Sequence, residues 1–98
     1  MAKSFDEAWR AACEEAQALG VPMKRTLEAL EKFGGAEAAH RSLSRRKNSD
    51  GFAALARLGR LDLSLEALVL NRAYGPLFSD EEANFALESL LEAGYYRL

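Results

Sequence analysis

The alternation of apolar and polar positions along the chain predicts a succession of short helices. Phe5, Ala8, Trp9, Ala12, Ala16 and Leu19 recur with a period of about 3.6 residues, with Arg10, Glu14 and Gln17 on the opposite side, which predicts an amphipathic helix from Ser4 to Leu19. Ser4 and Glu7 have the spacing of a capping box at its start, and Gly20 ends it. Pro22 suits the first turn of a second helix, whose buried stripe is Met23, Leu27 and Leu30 and which Gly34-Gly35 closes. A third helix, from Ala36 to about Ser44, buries Ala36, Ala39 and Leu43. Residues 44–49 have no periodic hydrophobe and read as a solvated loop, after which Ser49 caps a short helix carrying Phe52, Leu55 and Leu58.

Residues 61–70 alternate at first and are then almost continuously apolar. A lone strand would have no partner, so the segment is predicted to be a helix capped by Asp62 or Ser64 and packed centrally. The last helix is the most fully specified. Ser79 and Glu82 form a second capping box, Phe78 is placed to staple onto Ala83, and Ala83, Ala86, Leu87, Leu90 and Leu91 face inward up to Gly94. The pattern as a whole predicts one compact all-α domain over residues 1–98, of about six short helices, with Trp9, Leu27, Phe52, Leu65, Leu68 and Leu87 in a common core.

Composition narrows the function classes. With 98 residues, 49% of them hydrophobic, the chain suffices for one small core. No apolar run approaches the ~18 residues of a membrane span, and the first residues lack a signal peptide's apolar stretch, so a cytoplasmic protein without a membrane partner is expected. One cysteine, Cys13, and one histidine, His40, can build neither an internal disulfide nor a Cys/His zinc site, and no metal or cofactor is expected. Cys13 reads as a small core residue and His40 as a surface or boundary histidine, with no third group to orient them as a nucleophilic pair. Asp62, Glu66 and the Asp80-Glu81-Glu82 run sit where carboxylates favour a helix dipole. The expectation is therefore a protein that is not an enzyme.

Charge is uneven along the chain. Residues 1–40 carry five basic and seven acidic side chains, residues 41–60 six and one, and residues 61–98 two and seven. Segment 41–60 resembles a helix-turn-helix only in outline, because residues 64–70 offer no Arg, Lys, Asn or Gln to read base edges. What remains there is Arg41, Arg45, Arg46, Lys47, Arg57 and Arg60, a set able to hold phosphates without sequence preference or simply to stay solvated. On the last helix, taking Ala83 as the centre of the buried face puts Phe85 about 200° away by the helical period, among carboxylates. Phe85 with Glu81, Glu88 and Glu92, extended by Tyr74, Tyr95 and Tyr96, then forms a candidate protein-binding surface, unless Phe85 turns to meet the tail or another helix.

From Gly34 to Tyr95 the chain resembles a group of small, uncharacterised bacterial and mobile-element proteins of about this length. The residues that carry the likeness are Gly34-Gly35 with Ala38-Ala39, Ser49-Asp50-Gly51-Phe52, Gly59-Arg60-Leu61-Asp62-Leu63-Ser64-Leu65-Glu66-Ala67, Leu77-Phe78 with Glu81-Glu82, and Gly94-Tyr95. The chain departs from that pattern in having Ala56 where the group has Trp or another large residue. The resemblance implies no established activity. Size, the lack of a catalytic grouping and the expected location instead point to a protein-binding adaptor, or to a mobile-element inhibitor of a host defence complex of the anti-CRISPR kind. Its acidic C-terminal third would then cover a basic, nucleic-acid-binding surface of a partner. The alternative is non-specific nucleic-acid binding through segment 41–60.

Overall fold

The computed structural model describes residues 4–45, 48–49 and 51–95, and it is all-α. Among the described residues six α-helices follow one another: α1 (Phe5–Ala18), α2 (Lys24–Phe33), α3 (Gly35–Ser44), α4 (Phe52–Leu58), α5 (Leu65–Val69) and α6 (Asp80–Glu92). Short 3-10 turns, Leu61–Leu63 and Arg72–Leu77, flank α5. No strand occurs among the described residues. The radius of gyration, 12.3 Å, is that of a compact chain of this length.

Both capping boxes form. The Ser4 hydroxyl accepts from the Glu7 N–H while the Glu7 carboxylate accepts from the Ser4 N–H, and Ser79 and Glu82 do the same at the start of α6. Each satisfies N–H groups that the first turn of a helix leaves unpaired.

Helix α1 lies against α2, α3 and α5, and α6 closes the far side by packing on α5 and α3. Phe5, Trp9, Ala12, Cys13 and Ala16 form the buried stripe of α1, so Cys13 is a core residue as expected. Leu19, placed by periodicity on the same stripe, is 43% exposed, because the helix has ended and Leu19 serves as its C-cap. Phe5 is the hub of an aromatic cluster, with ring centroids 5.7 Å from Trp9, 5.4 Å from Tyr74 and 5.2 Å from Phe78. Phe78 thus spends its ring on Phe5 and on His40 across the fold.

Close backbone approach positions two of the joints. Gly35 donates its N–H to Asp6 Oδ2 at 3.0 Å, and a Cβ at residue 35 would come within 2.4 Å of Asp6 Oδ1, so only glycine lets α3 start against α1. Gly51, at φ +77°, starts α4 in the left-handed region with Val21 and Met23 pressed against it. The cap of α4 is therefore Gly51, and Ser49, predicted for that role, is used elsewhere.

Ser49 reaches α5. Its N–H donates to Glu66 Oε2 at 2.9 Å and its hydroxyl to Oε1 at 2.6 Å, and Glu66 is 1% exposed. Segment 61–70, predicted as one helix, divides at Ser64. Its hydroxyl donates to the Leu61 carbonyl and accepts from the Ala67 N–H, ending the 3-10 turn and capping α5 together. Asp62 is not the cap; it pairs with Arg60. The segment lies centrally as expected, with Leu61, Leu63, Leu65 and Val69 buried. The residues that carry the Ser-Asp-Gly-Phe and Arg-Leu-Asp-Leu-Ser pattern are thus largely joints of the fold.

In α6 the buried face is turned from its predicted position. Ala86, Ser89 and Leu90 are its buried residues, which moves the centre about 60° round from Ala83 at ~100° per residue. Ala86 and Ser89 are small, and their burial brings the α6 backbone close to its neighbours. The turn has two consequences. Leu87, predicted in the core, is 39% exposed, and Phe85, predicted on the polar side, is half-buried and packed against the core. Trp9, Phe52 and Leu65 are in the common core as expected, whereas Leu27 and Leu68 are only partly buried.

Candidate functional site

The residues proposed for partner binding are redistributed by this rotation. Phe85 forms the wall of a groove of about 440 Å³ between the end of α3 and the start of α6, with Leu43, Ser44, Ser79, Glu81 and Glu82. Glu81, Glu88 and Glu92 are exposed on α6. Tyr74 is not part of any exposed patch; it is 8% exposed and stacked edge-on against Phe5. Tyr95 is 38% exposed just beyond α6, and Tyr96 lies outside the described residues. Sequence periodicity missed Leu87, because four leucine and alanine positions near it fit an inward stripe equally well.

Glu82, which lines that groove, has its Oε2 2.5 Å from His40 Nδ1, with the Glu82 side chain 20% exposed. Burial works to raise the Glu82 carboxyl, but hydrogen bonds from His40 and from Ser79 outweigh it and hold the group below its ordinary value. A carboxyl held low in the folded state contributes stability that is present above its unfolded value and is lost as pH falls through the folded one. Glu82→Gln is therefore expected to cost stability at about pH 6 and to cost much less at a pH low enough to protonate both the unfolded and the folded state. Denaturant titrations at the two pH values check this. An equal cost at both would mean that the pair's ionisation does not support the fold.

The four described basic residues of segment 41–60 do not make one surface. Arg60 donates to Glu15 Oε2 at 2.5 Å and to both oxygens of Asp62, and these partners, Asp62 foremost, push its guanidinium further up. Arg57 is exposed on α4, and Arg46 and Lys47 lie outside the described residues. Arg41 of α3 and Arg45, which caps the C-terminus of that helix, line the same cleft. It has a volume of about 540 Å³ and is also lined by Arg25 of α2, over a floor that includes Trp9, Ala29 and Ala38. Arg25 had no signal in the sequence, since it joins the others only when α2 folds back on α3. The Arg41 guanidinium lies 4.1 Å from the centroid of the Phe33 ring and its Nε donates to Glu37 at 3.1 Å. Asn48 and Ser49 close the cleft, held there by the Ser49–Glu66 bonds.

No helix of the described residues is long and apolar enough to cross a membrane. No family model, curated protein or solved structure matches the chain.

Proposed function

We propose that this chain is a non-enzymatic protein-binding module that docks a basic partner surface on the outer side of α6. The observation that carries the reading is the composition of that side. Helix α6 has five carboxylates and no basic residue, and beside the exposed Glu88 it presents Leu87, 39% exposed. An apolar side chain exposed on an acidic helix is costly to leave in water and effective in a contact, while the carboxylates further round the helix steer a cationic surface toward it. The anchor is thus Leu87, with Glu88 next to it in sequence and Glu81 and Glu92 further round the same helix; Phe85 supports the adjoining groove. A partner that ordinarily holds nucleic acid has the required positive surface, which fits inhibition of a host defence complex in the anti-CRISPR manner.

The test separates docking from folding. Leu87→Asp is expected to leave the thermal midpoint nearly unchanged and to weaken a partner isolated from the host at least about tenfold, roughly 1.4 kcal/mol. Glu88→Lys with Glu92→Lys should slow association and remove its salt dependence. Full binding by Leu87→Asp would sink the assignment of this surface.

A further inference from the structure

The cleft between α2 and α3 is independent of the α6 surface. We propose that it is a nucleotide-binding site, in which Arg25, Arg41 and Arg45 hold the phosphate and the Phe33–Arg41 stack receives the base.

Three arginines line it, one of them, Arg41, paired with Glu37, and none of its described lining residues is Asp or Glu. Arg25 and Arg45 have no ion-pair partner among the described residues. Guanidinium forks match the oxygen pairs of a phosphate, and three of them round one concavity exceed what a single carboxylate needs. Thr26 adds an observation of a different kind. It lines the cleft, and its hydroxyl makes no hydrogen bond with another described residue.

The apolar part of the site selects among phosphate-bearing ligands. Phe33 is 36% exposed, with the Arg41 guanidinium over its ring at 4.1 Å and the Lys32 ammonium over it at 5.3 Å, and guanidinium planes and aromatic rings are surfaces on which bases stack. A volume of about 540 Å³ lies within the range of small-molecule sites and accommodates one nucleotide. A phosphopeptide fits less well, because the described residues offer no strand edge to a peptide backbone. The same chemistry can come from a free nucleotide or from one link of a single strand.

Trp9, the only tryptophan in the chain, lines the cleft and reports on it directly. Calorimetry with adenosine monophosphate, inorganic phosphate, a short oligothymidylate and a phosphotyrosine peptide, read in parallel with Trp9 fluorescence, tests the site. Adenosine monophosphate or oligothymidylate is expected to bind with a change in Trp9 emission and to lose at least about tenfold in affinity in Arg25→Ala/Arg45→Ala, with Arg57→Ala unchanged. Tighter binding of the oligonucleotide assigns the site to a strand, and equal or weaker binding to a free nucleotide. The proposal is overturned if neither binds, if the double variant binds as well as the parent, if inorganic phosphate matches the nucleotide, or if the phosphopeptide binds more tightly than both.

Discussion

Leu90→Ala is expected to destabilise the protein by about 2–5 kcal/mol, through lost transfer energy and the cavity that remains. Leu90 is fully buried where α6 is packed against the rest of the fold, and its neighbours on the buried stripe, Ala86 and Ser89, are too small to fill the space. For a domain of this size each kcal/mol lowers the thermal midpoint by about 4–8 °C, so a fall of ten degrees or more is the expected reading. Leu87→Ala is the matched control. The two leucines are three residues apart on one helix, and if α6 is turned as described, the second change costs less than about 1 kcal/mol because Leu87 is already largely in water. Equal losses would return the helix to the orientation that periodicity suggested. Leu68→Ala should fall between the two, since Leu68 is partly buried.

Glu66→Ala is expected to cost about 3 kcal/mol. The change strands the Ser49 N–H and hydroxyl, each unsatisfied group costing ~1–3 kcal/mol where water cannot fully replace the partner, and it opens space in the core. The carboxyl group is 1% exposed and receives both Ser49 donors, so it is the tie between the α3–α4 connection and α5. Glu66→Gln should be milder, because the amide oxygen still accepts from the N–H while the amide nitrogen donates to the hydroxyl. Equilibrium denaturation measures the cost, and amide exchange at Ser49 shows whether the connection has come loose. A Glu66→Ala protein as stable as the parent would mean that Ser49 finds another partner without strain. The same bonds hold Asn48 and Ser49 at the arginine cleft, so loosening them should also weaken any ligand there.

Which parts were legible in the chain follows from the range of the forces involved. Helix starts are set by contacts three residues apart, and both capping boxes, Ser4 with Glu7 and Ser79 with Glu82, form as their spacing predicts. Amphipathic periodicity is equally local, and it identified the stripe of α1, the burial of Cys13 and the central place of segment 61–70. The class of fold and the number of α-helices follow from these alone.

Tertiary structure decided whatever depends on which element lies opposite. Ser49 carries the signature of a cap, yet its hydroxyl serves Glu66, seventeen residues away, because α5 brings a buried acceptor to it. His40 and Glu82 are forty-two residues apart and become a pair only when α3 meets α6. The α6 stripe has two nearly equivalent centres on the helix, and the close packing permitted by Ala86 and Ser89 selects the one that buries Phe85 in part and exposes Leu87. The basic segment had a charge but no shape. Folding tied Arg60 to Glu15 and Asp62, left Arg57 apart, and joined Arg41 and Arg45 to Arg25, because a charge becomes a site only where the backbone makes several of them converge on one concavity.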